Sequence, residues 1–261
     1  MSYETLTYER DAGVAEITLD QPEKHNPLSN AAALELTAAL ERAHDDNDTT
    51  VVVLTGAGES FSAGGDIEEF RDQMDKRATE LFEEGRASAE LFQLLARYEK
   101  PIVGAITGSA FGGGCGLVAA CDLAYASERA QFGTTEITLG LFPMVILPAL
   151  RTALGDQKTL ELALTGRRIE ADEAEDIGLV TETVADGTVL DRARETAREL
   201  AGRSPLALTL GLHAFNETTD MPAERAIETL NAYRVLFYKS HDLKEGAEAF
   251  LEDRDPEWKG V

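Results

Sequence analysis

Two glycine-rich stretches and one glutamate are the residues of this chain best placed to do chemistry. The first stretch runs Gly56-Ala57-Gly58-Glu59-Ser60-Phe61-Ser62-Ala63-Gly64-Gly65-Asp66, the second Gly108-Ser109-Ala110-Phe111-Gly112-Gly113-Gly114-Cys115-Gly116. Each follows an apolar run of strand type. Glycine lets a backbone approach a ligand closely and present its N–H groups. The second stretch also opens a helix, whose free N–H groups and dipole favour negative charge. Two converging N–H groups are what a developing oxyanion needs. Tight turns and close helix–strand packing would explain either stretch alone, but the pair in one strand–loop–helix arrangement points to a site. The glutamate is Glu136, in Phe132-Gly133-Thr134-Thr135-Glu136-Ile137, and the 18 residues from Ile137 to Leu154 contain no acid. A carboxylate beside so apolar a segment is expected to titrate above its usual range, which suits proton transfer near neutrality. In so acidic a chain, a solvated surface glutamate is the competing reading of Glu136 alone.

Other chemistries find less support. Thr107 to Gly114 matches the Thr-Gly-x-x-x-Gly-x-Gly dinucleotide loop, follows a strand and opens a helix. Short-chain dehydrogenases carry that loop at the start of the chain with a Tyr-x-x-x-Lys pair downstream. Here it lies mid-chain, and Tyr98, Tyr125, Tyr233 and Tyr238 all lack a lysine four residues on. Redox chemistry is left a minor alternative. His25 sits in a loop, His44 at a helix end, and His213 and His241 singly on helical patterns, so none has the company of a catalyst. There is no His-Glu-x-x-His motif, Walker loop or nucleophile elbow beside a triad, and no metal site is expected. Cys115 and Cys121, at helical spacing in an apolar stretch, read as buried inert thiols.

Several elements must position these residues. Thr5–Tyr8 and Val14–Leu19 alternate in the strand manner around a turn at Asp11 to Gly13. A helix is predicted from a cap at Ser29 or Asn30, with Leu36, Ala39, Leu40 and Ala43 on one face. Val51–Leu54 and Ile102–Ile106 are continuous apolar runs, the mark of strands covered on both faces. Between them, after the first glycine loop, a long polar helix is predicted from about Arg77 to Tyr98, ended by Lys100-Pro101. The second glycine loop opens a helix running to Cys121, and Leu123–Ala126 gives one more strand. From about residue 145 the pattern is helical. Ser204-Pro205 reads as an N-cap with proline at the first helical position, and Ala226, Leu230, Tyr233 and Phe237 stripe a late helix. That stripe fits either the chain's own core or another subunit. The architecture is α/β with a C-terminal helical appendage.

A chain of 261 residues buries a sizeable core, and 43% apolar with 28% charged residues is globular composition. The charge balance is unusual: 48 Asp and Glu against 24 Lys and Arg give a net charge of −24, and only 7 of the 24 basic residues are lysine. Such a surface excludes non-specific nucleic-acid binding and disfavours anionic membranes, since both need a basic face. The acid is spread along the chain, as expected of a protein adapted to high salt, where carboxylates hold hydration and ions screen their repulsion. An acidic protein of ordinary salt is the plainer alternative. Met1-Ser2-Tyr3-Glu4 lacks the pattern of a signal peptide. The longest apolar run, Leu139 to Leu150, is too short for a bilayer and contains Pro143 and Pro148. A cytoplasmic location is expected.

Six stretches together resemble the crotonase family, also called enoyl-CoA hydratase/isomerase. They are Pro22-Glu23-Lys24-His25-Asn26-Pro27-Leu28, Phe61-Ser62-Ala63-Gly64-Gly65-Asp66-Ile67, Ala110-Phe111-Gly112-Gly113-Gly114-Cys115, Ala130 to Glu136, Leu164-Thr165-Gly166-Arg167-Arg168-Ile169, and Asp242 to Phe250. They span essentially the full length in the family's order. The resemblance implies a spiral of ββα units over residues 1–200 carrying the acyl-CoA site. Residues 201–261 would be a C-terminal helical region supporting a homotrimer or a hexamer built as a dimer of trimers. It implies acyl-CoA thioester substrates, with coenzyme A part of the substrate and no metal or redox cofactor. By position, the backbone N–H groups of Gly65 and Gly113 would form the oxyanion hole and Glu136 would move protons. Lys24, His25, Ala63, Asp66 and Ile67 would line the CoA site, and Gly112, Gly116, Thr135 and Met144 the rest of the substrate site.

Three departures from the family pattern bear on activity. A basic residue often follows the position of Ile67, but here it is Glu68, which cannot pair with a CoA phosphate. Hydratases of the family use two glutamates; Glu136 fills the second position, while the first is Gly116. The usual glycine-rich stretch beyond is replaced by Phe142-Pro143-Met144-Val145-Ile146-Leu147-Pro148. The resemblance with a single glutamate favours double-bond isomerisation by 1,3-proton transfer through an enolate. An enoyl-CoA hydratase of fatty-acid β-oxidation is the first alternative, a non-catalytic acyl-CoA-binding subunit the second.

Overall fold

The computed structural model describes residues 2–261. The chain begins with a hairpin, β1 (Leu6–Asp11) and β2 (Val14–Leu19), in register from Leu6 opposite Leu19 to Asp11 opposite Val14. Then comes α1 (Asn30–Asp45), capped by Ser29 Oγ, which accepts from the Ala32 N–H. Its buried face includes Leu36, Ala39, Leu40 and Ala43, as the spacing predicts.

Three strand–strand–helix units follow. The first is β3 (Val51–Gly56), β4 (Ser60–Ser62) and α2 (Ile67–Gln73), with α3 (Ala78–Glu84) and α4 (Arg86–Leu95) inserted after it. The second is β5 (Ile102–Ile106), β6 (Ser109–Phe111) and α5 (Gly113–Ala119). The third is β7 (Leu123–Ser127), β8 (Gln131–Gly133) and α6 (Leu147–Thr165), with a 3-10 turn, Thr135–Leu139, on the way. Then come β9 (Ile169–Glu170), α7 (Ala171–Asp176), β10 (Glu182–Val184), α8 (Val189–Ala201), α9 (Pro205–Thr218), α10 (Ala223–Lys239) and α11 (His241–Glu252).

Long strands join one sheet and short strands another. The six-stranded sheet has the order β1-β2-β3-β5-β7-β10, parallel from β2 onward, and the four-stranded sheet the order β4-β6-β8-β9. Each of the three units therefore adds one strand to each sheet, and the chain advances as a spiral. Every residue of β3 and β5 is buried. Ala193 and Ala197 of α8 close one face, with Val51, Val53, Val103 and Ala105 beneath them. Leu36 and Leu40 of α1 and Leu91 of α4 lie in the larger cluster with Val52 and Leu54. Continuous apolar strands are the consequence of covering both faces.

The structure differs from the sequence reading in four places. The short strands β4, β6 and β8 are not found by the pattern of the residues, because three residues show too little alternation, though the ββα units of the resemblance imply them. The predicted helix from Arg77 to Tyr98 is two helices, separated at Gly85 and ending at Leu95; glycine disfavours a helix interior by about 1 kcal/mol relative to alanine. Helix α2 stands in what reads as loop, started by the Asp66 carboxylate accepting from the N–H groups of Glu68 and Glu69. Beyond residue 145 the chain is not wholly helical, since β9 and β10 extend both sheets. The Ser204-Pro205 start of α9 is as predicted, with Ser204 Oγ accepting from the Ala207 N–H. The stripe on α10 has no buried member in this chain alone. Among the described residues no helix is long and apolar enough to cross a membrane.

Candidate active site

The first two units bring their glycine loops into contact. Gly64 has φ +85°, and a Cβ there would stand 2.5 Å from the Phe111 carbonyl oxygen and 3.1 Å from the Gly113 nitrogen. Only glycine allows both that conformation and that approach. The Gly64 carbonyl accepts from the Leu28 N–H at 2.7 Å, tying the first loop to the segment before α1. Gly112, at φ +50°, turns the chain from β6 into α5, and its N–H donates to the Gly133 carbonyl at 2.8 Å. The second loop is thus held between the first and the third unit. Among the described residues, the N–H groups of Gly65 and Gly113 donate to no protein acceptor.

Asn26 fixes this arrangement from below. It is buried at φ +53°; its side-chain oxygen accepts from the Gln21 N–H, and its amide nitrogen donates to the carbonyls of Ala57 and Ser60, at 2.8 Å each. Ser62 Oγ donates back to the Asn26 carbonyl at 2.7 Å. The sequence reading does not single Asn26 out. Its signal was its type: asparagine is among the residues that tolerate a left-handed backbone.

Glu136 enters from the third unit, on the turn following β8. Its carboxylate stands over Gly112, with Oε1 only 3.1 Å from where a Cβ on that glycine would lie. The side chain is half-buried, and Oε2 is buried without a partner among the described residues. Burial pushes the Glu136 pKa up, offset in part by its own backbone N–H. That is the direction expected from the acid-free stretch beyond it.

These groups share a cavity of about 570 Å³. Gly65, Gly112, Gly113, Thr135 and Glu136 lie on its wall, together with Lys24, Ala63, Asp66, Ile67 and Met144. Two residues expected in the substrate site are not on that wall. His25 has its Nδ1 3.2 Å from Ser60 Oγ. Gly116 is buried one turn into α5, where a Cβ would lie 2.3 Å from Ile146 Cγ2 and 3.1 Å from Phe92 Cζ. Ile146 and Phe92 themselves line the cavity, two residues that sequence reasoning passed over because their contact with Gly116 is non-local. The remaining acids of the lining are engaged. Asp66 caps α2, Glu68 pairs with Lys24 at 3.4 Å, and Glu69 accepts from the Asn30 N–H at 3.1 Å. The pairing of Lys24 with Glu68 is the local consequence of an acid following Ile67.

Neither thiol lies on the cavity wall, though burial and, after it, the Glu136 charge raise the Cys115 pKa. Cys115 is fully buried and its pKa is pushed up to about 12; burial also raises Cys121, whose Sγ donates to the Leu117 carbonyl. His213 pairs with Glu99 at 2.9 Å, away from the cavity wall. What the cavity offers is two free N–H donors on adjoining loops and a partly desolvated carboxylate beside them. Such a set can stabilise charge on a carbonyl oxygen and move a proton at a neighbouring carbon.

The family described as enoyl-CoA hydratase/isomerase matches residues 9–261. A putative enoyl-CoA hydratase of Thermus thermophilus is 36% identical over 243 residues, which cover 93% of this chain and 96% of that protein. The 2,3-dehydroadipyl-CoA hydratase of Escherichia coli is 32% identical, with 98% of each chain covered. Among solved structures, a putative enoyl-CoA hydratase from Streptomyces coelicolor superimposes with a TM-score of 0.94 at 28% identity, covering 100% of this chain and 96% of that one. The enoyl-CoA hydratase of Bacillus anthracis gives a TM-score of 0.92 at 30% identity, over 99% of this chain and 100% of that one.

Proposed function

The chain belongs to the enoyl-CoA hydratase/isomerase, or crotonase, family of enzymes acting on acyl-CoA thioesters, and we propose that its own reaction is a 1,3-proton transfer that moves a double bond. One observation carries this reading: of the acids on the cavity wall, Glu136 alone has a buried oxygen without a partner. In the proposed reaction the thioester carbonyl accepts from the N–H groups of Gly65 and Gly113. Glu136 takes a proton from the α-carbon of a 3-enoyl thioester, and the electron pair delocalises onto the carbonyl oxygen as a dienolate. The same carboxyl then returns the proton to the γ-carbon, leaving the conjugated 2-enoyl thioester. A positioned general base contributes typically 10²–10⁴-fold, and one oxyanion-hole donor roughly 2.7–4 kcal/mol. No metal or redox cofactor takes part, and coenzyme A enters as part of the substrate, with Lys24, Ala63, Asp66 and Ile67 along its entry.

Hydration is the second reading, favoured by the hydratase names of the relatives. It requires water held on the far side of the double bond as well as a base. A silent acyl-CoA-binding subunit is a third, and the poised Glu136 speaks against it. We further propose assembly as a homotrimer or a hexamer through the C-terminal helices.

Mass spectrometry of a trans-2-enoyl-CoA incubated with the protein in heavy water at high KCl separates these readings. Deuterium uptake without a water adduct is expected. An adduct that disappears in Glu136→Gln would make the protein a hydratase, and neither product would point to a different acyl group or a silent site.

A further inference from the structure

Gly112, which caps α5, lies on the cavity wall, and Gly116, one turn further on, lies behind Ile146, which is itself on the wall. The Gly116 N–H donates to the Gly112 carbonyl at 3.1 Å, so the two lie one turn apart. Glu136 stands over Gly112, and Ile146 stands over Gly116. Glu136 and Ile146 thus cover positions one turn apart along this segment, and both line the same cavity. Ile146 is not a loose tip in this position. Both its Cγ2 and its Cβ lie where a side chain on residue 116 would emerge, at 2.3 and 2.6 Å. Its carbonyl takes the Leu150 N–H at 3.1 Å as α6 begins, which anchors its backbone. Phe92, Met144 and Val145 line the cavity with it, all apolar.

Water addition and proton transfer make opposite demands on this wall. In hydration the water oxygen bonds to the β-carbon as the π bond opens, one water proton passes to Glu136, and the α-carbon receives a proton from it. The attacking water must be held by a second hydrogen-bonding group, since a site fit to hold water needs two or more polar partners. Proton transfer along the chain needs no such group and is protected by a dry wall.

We propose that Ile146 is a specificity-determining residue: by filling the space over Gly116 with an apolar side chain, one turn from the glycine that Glu136 covers, it denies the site a held water and commits it to proton transfer. The proposal rests on the single-base reading and goes beyond it by naming the residue that sets the outcome. It also explains why position 116 is glycine. No side chain fits there while Ile146 stays.

Ile146→Thr and Ile146→Val are the matched pair that tests this, because threonine and valine have nearly the same shape and differ by one hydroxyl. The readout is the ratio of water adduct to deuterium uptake from a trans-2-enoyl-CoA in heavy water, with thermal unfolding to show that both variants fold. The ratio is expected to be higher in Ile146→Thr than in Ile146→Val by about 10²-fold, the lower end of what a positioned polar group contributes. Equal ratios in the pair overturn the role of Ile146, whatever the parent protein does. A parent protein that forms adduct as fast as it takes up deuterium overturns the single-base reading instead.

Discussion

Glu136 is where the local environment of one residue becomes a property of the enzyme. Burial raises its pKa because the charged form loses hydration. The folded protein therefore holds the Glu136 proton more tightly than the unfolded chain does. Its contribution to stability is fully present below the unfolded pKa and is lost as pH rises through the raised folded value. Activity runs the other way, since only the carboxylate can accept a proton. The rate of deuterium uptake is expected to climb with pH through that raised value, above the range of an ordinary glutamate. In Glu136→Gln, uptake should fall by about 10²–10⁴-fold, while calorimetry with a saturated acyl-CoA should still show binding. The same variant should lose less stability than the parent as pH rises from the ordinary glutamate range through that raised value. Gly112→Ala makes a second residue-level test. Its methyl group would meet Glu136 Oε1 at 3.1 Å on a backbone of φ +50°, displacing the base, so uptake should drop with the cavity otherwise intact.

Elements position these residues through contacts of very different reach in sequence. The strands β3 and β5 were legible because a strand covered on both faces must be apolar throughout. The two glycine loops were legible as a pair because each follows such a strand. Helix α2 was not, since Asp66 reads as a binding residue when its carboxylate also starts the helix. The closure over Gly116 was hidden for another reason: Ile146 is 30 residues further along the chain, and only the return of the chain into α6 brings it back to α5. Asn26 belongs to the same non-local class. It joins the turn around residues 21–26 to the loop between β3 and β4 by hydrogen bonds in both directions. Asn26→Ala would strand a buried N–H and two carbonyls, with an expected loss of about 1–3 kcal/mol per unsatisfied group. The first glycine loop would lose its support at the same time. A fall in the urea midpoint together with a lower deuterium-uptake rate is the expected result; an unchanged rate in the folded variant would show that the loop holds its shape without Asn26.

On the scale of the whole molecule, a charge of −24 and an unburied apolar face on the last helices act on the same event. Phe215, Ile227, Leu236, Phe250 and Leu251 are all more than half exposed in the single chain. Exposed apolar area of this kind favours association, at roughly 25 cal/mol per Å² removed from water. Like charge on each copy opposes it, and that repulsion reaches about 10 Å at 0.1 M salt but only about 3 Å at 1 M. Folding is subject to the same balance, because compaction concentrates carboxylates that the unfolded chain spreads apart. Salt should therefore raise both the thermal midpoint and the mass of the assembly, and most of the gain should come below about 1 M, where the screening length still changes appreciably. Thermal unfolding and sedimentation across a KCl series, with a choline chloride series at matched ionic strength, would measure both. Equal responses to the two salts would assign the effect to screening, a larger response to KCl would assign it to the cation itself, and a flat midpoint in both would contradict adaptation to high salt.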